Sequence, residues 1–562
     1  MKHLLQVIQQ SLRTWALLLA LPTGLSAQLL SYNPSEPAPQ QLAYLKRSLS
    51  LLKSANATNR VSFRIMVYGQ SISVGPWSDM LFDKLRASYP HVDFITTNKA
   101  IGGFTAAPLS KASIADVAPW LPDLVILHCL GNDIKDYERL YDNIRSRSST
   151  DVLVHADHIQ SNTQADESLD LSDLGPDSIW VLRNYYWLPE LANRFRFCWA
   201  DIRTPWKQYL KENNLNFAEL LEVDRIHCNE HGFALTAELI YEHLKPRPNL
   251  QTTDPFDGDL VKTQWIGPEF NWNGSELSAT ITGNRVDVIY DQNPVVDSST
   301  FTYTLDDKSP SEVAELYGFD RASPAWAISW PGILQVDSVN LPLEERWTLT
   351  VDSLNYQTGE LFYTLVGSKT GFDGKGSNFT WLFTSNSGRV AIAGDSLMIN
   401  LAYLATQQKP PADWKINVNC VRRALEEFTP KPSRRVGETS SETLFLSSKE
   451  RSRQLKIRPK SGMVQGIRGI RVYSPAGKAT ITPTQPLNLS RVLPWRRIDD
   501  SLEIEWPESW KGRLHTSTNL TGAPDWKPIS EPIQSENATN RVRFRSDGSP
   551  RFFLWKAATT AP

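Results

Sequence analysis

The chain has 562 residues, 41% hydrophobic and 21% charged. That supplies enough apolar material for packed cores and argues against wholesale disorder. A formal net charge of −2 leaves no basic excess to neutralise a polyphosphate backbone, so a nucleic-acid partner is not expected. The length suggests about three or four domains.

Lys2 and Arg13 precede the apolar run Trp15–Leu21, and Leu25-Ser26-Ala27 closes on small residues. This predicts a signal peptide over 1–27, cleaved after Ala27. The apolar run is too short to span a bilayer, and no other segment is long and apolar enough. No cysteine lies beside the cleavage point. The expectation is a secreted or periplasmic protein without membrane insertion after cleavage. Residues 28–59 read as a lead-in.

From 60 to 247 strand and helix patterns alternate, the signature of a parallel sheet covered on both faces. The apolar run Val61–Val67 reads as a strand ending in Tyr68-Gly69-Gln70-Ser71, and such a turn can lift the serine hydroxyl to the rim of a sheet. A serine nucleophile needs a base and donors for the oxyanion it creates. Three further blocks suit those needs. Asn98-Lys99-Ala100-Ile101-Gly102-Gly103 follows the apolar Val92–Ile95, and a glycine there lets a backbone N–H approach a substrate. Gly131-Asn132-Asp133 follows the run Leu124–Leu130 and offers the Asn132 amide. Asp224-Arg225-Ile226-His227 places a carboxylate three residues before a histidine, so Asp224 can take one ring nitrogen while the other faces the serine. Trp77–Leu85 reads as a helix, and Tyr137, Leu140, Tyr141 and Ile144 form one apolar helix face. Val152–Val154 and Phe195–Trp199 read as strands, and Phe233–Leu244 as a closing helix.

The four blocks together resemble the SGNH (GDSL-like) hydrolase family, over roughly residues 60–245. The matches are Gly69-Gln70-Ser71, Gly103 in Asn-x-x-x-x-Gly, Gly131-Asn132-Asp133 and Asp224-x-x-His227. The resemblance implies a flavodoxin-like parallel sheet with Ser71 as nucleophile, His227 as base and Asp224 orienting it. It also implies an oxyanion hole of the Ser71 and Gly103 N–H groups and the Asn132 amide. Gln70 stands where the family often has Asp, which is similar to a branch that includes carbohydrate acetylesterases. The implied activity is removal of short acyl groups, acetyl first, from an acylated carbohydrate, with no cofactor. A lipid-directed esterase and a non-catalytic glycan-binding protein are the alternatives.

Gln70, His155 and His158 are candidates for the substrate pocket. His155 and His158 could also join His128 at a metal, but their spacing fits no standard ligand pattern, and no metal is expected. Segments 104–120 and 155–180 read as loops that shape the acyl site. Cys129, Cys198, Cys228 and Cys420 are too few for a disulfide scaffold. A Cys129–Cys228 bridge stays open beside buried free thiols.

From 250 to 422 many short strands between turn residues predict a β-sandwich, with 279–289 folding around a Gly283-Asn284 turn. The pattern is similar to jelly-roll modules attached to carbohydrate esterases. Its tryptophans, Trp265, Trp272, Trp326 and Trp330 among them, either stack on sugars or fill cores. The Pro-, Ser- and Arg-rich stretch 423–456 reads as a linker, and 457–562 as a small C-terminal β-domain. Asn56–Arg64 recurs with one difference at Asn537–Arg545, without a functional account. Sugar, ester position and oligomeric state stay open.

Overall fold

A computed structural model describes residues 29, 36–37 and 39–557, except 166–177, 291–299, 432–439, 462–465, 476–494, 499–500, 508–511, 518–526, 537–538 and 546–551. The signal peptide read at 1–27 lies outside the described residues.

Five strands form the first sheet: β1 (Val61–Gly69), β2 (Val92–Asn98), β3 (Leu124–His128), β4 (Asp151–His155) and β5 (Cys198–Ala200). Their order is β2-β1-β3-β4-β5, and each neighbouring pair is parallel. This is the flavodoxin-like order, as expected. Side chains alternate across the sheet. Phe63, Ile65, Val67, Ile126 and Leu153 face one core, while Met66, Tyr68, Val125, Leu127, Val152 and Val154 face the other.

The first core is closed by α1 (Lys46–Ser54), α2 (Trp77–Ser88), α6 (Arg203–Glu212) and α7 (Glu230–Leu244), through residues such as Leu49, Trp77, Trp206 and Leu235. The second is closed by α3 (Ala106–Asp116), α4 (Ile134–Arg145) and α5 (Leu188–Arg194), through Leu109, Leu140 and Leu191. The face of α4 read from its periodicity is the buried one. Asp133 is its N-cap, accepting the Lys135 N–H at 2.9 Å. The 104–120 segment, expected as a loop, is mostly α3. The strand expected at 195–199 shortens to Cys198–Ala200 because Phe195 caps α5 and Arg196 turns left-handed at φ +56°. All four cysteines are free and buried. Cys129 sits in the second core and Cys228 in the first, on opposite sides of the sheet.

The β-rich region holds two larger antiparallel sheets. One orders Tyr317–Phe319, Lys415–Arg422, Glu345–Leu354, Leu361–Gly367 and Gly371–Ser377. The other orders Glu427–Phe428, Phe301–Leu305, Ser441–Pro459, Leu277–Tyr290, Ile467–Tyr473 and Val261–Trp265, with Asn271–Trp272 paired at its side. Two expectations fall here. Gly283-Asn284 makes no turn, because Leu277–Tyr290 is one strand; a Cβ on Gly283 would lie 2.5 Å from Tyr473 O, so glycine admits the neighbouring backbone. The linker read at 423–456 contains most of the strand Ser441–Pro459, which buries Leu444, Phe445, Leu455 and Ile457. Lys449, Arg451 and Arg458 are exposed, whereas Arg453 is buried beside Leu455 and pairs with Glu315 and Asp306. Strands 441–459 and 467–473 therefore belong to this sheet rather than to a C-terminal domain starting at 457.

The described residues from 495 to 557 belong to a separate compact unit. Its strands make two antiparallel sheets, one of Trp495–Ile498, Ser501–Pro507, Thr539–Arg545 and Gln534–Glu536, the other of Lys527–Pro528, Gly512–Ser517 and Phe552–Ala557. Ile504, Leu514, Val542 and Phe544 are buried. Both copies of the repeated nonapeptide thus feed a strand, one parallel and one antiparallel.

Candidate active site

The turn that carries Ser71 is built by close approach. A Cβ on Gly69 would lie 1.9 Å from the backbone oxygen of His128, so no side chain fits where β1 meets β3. Gln70 N donates to the same oxygen at 3.3 Å. The chain then enters a single helical turn, Ser71–Val74, capped by the Gln70 side chain. Gln70 Oε1 accepts Ile72 N–H at 3.3 Å and Ser71 Oγ–H at 2.7 Å.

The loop carrying Gly102 and Gly103 is pinned at both ends. Lys99 N donates to Val67 O at 2.9 Å and Ile101 N to Gly69 O at 2.8 Å. Ala106 N donates to Leu130 O at 2.9 Å, and Thr105 bridges Leu130. Asn98 Nδ2 reaches Ser73 O at 2.7 Å. Gly103 therefore lies between an anchor beside the Ser71 turn and an anchor beside Gly131-Asn132. Its φ of +79° is a left-handed conformation that favours glycine. Asn132 is exposed.

Asp224 and His227 form a local pair. Asp224 Oδ1 accepts the backbone N–H groups of Ile226 and His227 at 2.9 and 3.0 Å, and Oδ2 accepts His227 Nδ1–H at 2.6 Å. Burial alone would raise the Asp224 carboxyl, but the His227 ring and these two N–H groups outweigh it and hold it below its ordinary value. His227 Nε2 is buried with no hydrogen-bond partner among the described residues. Ser71 Oγ donates to Gln70 here rather than to His227. Such catalytic contacts often tighten only with substrate bound.

Beneath the turn lies a second Asp–His pair that spacing did not reveal. His128 Nε2 meets Asp157 Oδ1 at 2.9 Å. Asp157 Oδ2 accepts Arg183 Nε at 2.8 Å and Asn184 Nδ2 at 2.7 Å. Burial would raise the Asp157 carboxyl, but Arg183, His128 and Asn184 outweigh it and hold it well below the ordinary range. With Nε2 committed to this carboxylate, the other ring nitrogen, Nδ1, faces Gln70 Nε2 at 3.5 Å. That contact orients the amide so that its oxygen faces Ser71. Arg183 Nη1 donates to Gly131 O at 2.9 Å, which ties the same network to the Asn132 segment. Arg183 and Asn184 come from a π-helical stretch, Leu182–Trp187, with no local sequence signature pointing at the site.

His155 and His158 are interior residues rather than an open pocket wall, at 1% and 2% exposure. The His155 ring stacks on His128 at 4.5 Å. His158 Nε2 bonds Ile226 O at 2.9 Å and so steadies the dyad loop. Burial pushes His158 down to about 3 and His155 well below the ordinary imidazole value. Among the described residues no group of three or more His, Cys, Asp or Glu side chains is placed to hold a metal.

No family model and no curated relative matches the chain. Among solved structures it is similar to a two-domain esterase active on acetylated mannans, at 12% identity over 77% of this chain and 95% of that one, TM-score 0.30. It is also similar to an acetylxylan esterase from Geobacillus stearothermophilus, at 16% identity over 33% of this chain and 96% of that one, TM-score 0.28. At such identities and scores the reading of the site rests on its own geometry.

Proposed function

We propose that this chain is a secreted serine esterase that removes short acyl groups, acetyl first, from a carbohydrate. Ser71 Oγ attacks the ester carbonyl while His227 Nε2 takes its proton. The tetrahedral oxyanion rests on the Ser71 and Gly103 N–H groups and the Asn132 amide. His227 then protonates the departing sugar alkoxide, leaving an acyl group on Ser71. Water, deprotonated by His227, attacks that acyl group; the carboxylic acid leaves and Ser71 regains its proton. Asp224 holds the imidazole tautomer and stabilises the imidazolium. This chemistry asks for no metal or organic cofactor.

The observation that carries the reading is the Asp224–His227 pair. Its carboxylate occupies Nδ1, two backbone N–H groups and one ring N–H fix its orientation, and Nε2 is left to act as a base. The test is hydrolysis of 4-nitrophenyl acetate, butyrate and octanoate by the mature protein and by Ser71→Ala. Turnover of acetate, lost by several orders of magnitude in the variant, is expected. Near-normal turnover by Ser71→Ala would overturn the mechanism. Preference for octanoate would redirect the reading to lipids, and polysaccharide binding without turnover to a glycan-binding protein.

A further inference from the structure

We propose that Trp330, from the β-rich region, is a positioning residue for the oxyanion hole: its indole N–H holds the Gly102–Gly103 peptide so that the Gly103 N–H faces the substrate. The inference rests on the esterase reading of Ser71.

Trp330 Nε1 donates to Gly102 O at 2.7 Å. A peptide unit is planar, and no peptide bond among the described residues is cis. The carbonyl of Gly102 and the N–H of Gly103 are therefore opposite ends of one rigid plane, and fixing the first fixes the second. The constraint matters because two consecutive glycines leave a peptide free to rotate. A flipped unit would present an oxygen where the oxyanion needs a donor. The hydrogen bond to the carbonyl also polarises the peptide and strengthens its N–H as a donor.

The ring closes the remaining freedom. A Cβ on Gly103 would lie 3.0 Å from Trp330 Cζ2, and the Phe104 ring lies 5.5 Å from the indole. Trp330 is 4% exposed. It belongs, with Leu334, Met398 and Ala405, to the same core as Tyr68 and Leu109. Its own backbone is braced, with Trp330 O accepting Ala325 N at 2.7 Å and Gly332 N donating to Ser323 O at 2.9 Å.

A second contact holds the head of the loop. Arg321 places Nε and Nη2 on the buried Asp116 carboxylate, each at 2.7 Å, and Nη2 also reaches Lys99 O at 2.9 Å. Asp116 Oδ2 in turn accepts Tyr68 OH at 3.3 Å, one residue before Gly69. The β-rich region thus grips the loop at Lys99 and at Gly102, and carries part of the catalytic geometry.

The test uses the full chain. Trp330→Phe keeps an aromatic ring and removes the N–H. Trp326→Phe is the control: Trp326 is also buried and also donates its indole N–H to a carbonyl, Gln408 O at 2.7 Å, away from the loop. On 4-nitrophenyl acetate, Trp330→Phe is expected to lower kcat by about tenfold or more, a fraction of the loss for a whole oxyanion donor. KM should stay within about twofold, because the donor acts on the transition state. Inhibition by phenylboronic acid, whose tetrahedral adduct fills the same hole, should weaken in parallel. Trp326→Phe should keep both values. Arg321→Gln releases Lys99 O and should lower kcat by a smaller factor; it tests the same coupling if Trp330→Phe does not fold. Equal kcat in the two tryptophan variants, with Ser71-dependent turnover intact, overturns this inference alone. Wild-type turnover that does not depend on Ser71 overturns the esterase reading and the inference with it.

Discussion

Two Asp–His pairs lie within one α/β domain, and they are wired in opposite senses. In Asp224–His227 the carboxylate takes Nδ1 and leaves Nε2 without a partner. In His128–Asp157 the carboxylate takes Nε2, and Nδ1 faces the Gln70 amide. The first pair is half-buried, with both residues on one short loop. The second is fully buried, its residues 29 apart in sequence, with Arg183 and Asn184 completing the set. The nitrogen left over decides what an Asp–His pair does: an open one can accept a proton from a nucleophile, and a committed one can only orient its neighbour.

The contrast can be broken experimentally. Asp224→Asn should reverse the hydrogen-bond sense at Nδ1, trap the wrong tautomer and lower kcat by about 10⁴, measured on 4-nitrophenyl acetate with the fold checked by circular dichroism. Asp157→Asn should act mainly on stability. It leaves the Arg183 guanidinium buried without its carboxylate, a change that costs about 3–5 kcal/mol, read as the shift of the urea unfolding midpoint. A rate loss in Asp157→Asn as large as that in Asp224→Asn would erase the distinction. Asn132→Ala should lower kcat by about 10²–10³ without shifting the unfolding midpoint, because the residue is exposed.

A smaller, pH-dependent effect comes from the buried His158. His158 is held at about 3, first by burial and then by the nearby His128. Asp157, Arg203, Gln160 and the Trp206 ring are its other neighbours. On unfolding it regains an ordinary imidazole value near 6.5. Below that pH the unfolded chain binds a proton that the folded chain refuses. The stabilisation is therefore complete above about 6.5 and is lost as pH falls toward about 3. Tm should fall as pH drops from 7 to 4, and His158→Gln should flatten part of that fall. An unchanged Tm profile in the variant would show that His158 does not contribute.

The parts of the candidate site legible in the sequence are those built from local contacts. Asp224 and His227 are three residues apart, so one tight loop brings them together. Ser71, Gly103 and Asn132 each follow an apolar run that is a strand, and a parallel sheet gathers such strand ends on one edge. The 2-1-3-4-5 strand order agrees with the family likeness, and the α4 face followed from periodicity. The linker was misread for a physical reason. Charge alone does not mark a linker: Lys449 and Arg451 are exposed on an irregular stretch of the strand, Arg453 is buried in ion pairs with Glu315 and Asp306, and Leu444, Phe445, Leu455 and Ile457 still enter the core.

The sequence by itself determined the α/β order, the four motif blocks and the composition of the strands, since these depend on neighbours within a few residues. Only the tertiary structure decided which histidines are interior, that Asp157 gathers His128, Arg183 and Asn184, and that Trp330 reaches across 228 residues to Gly102. Those contacts join segments far apart in the chain. Their partners are selected by the space left when cores close, and local spacing carries no record of that space.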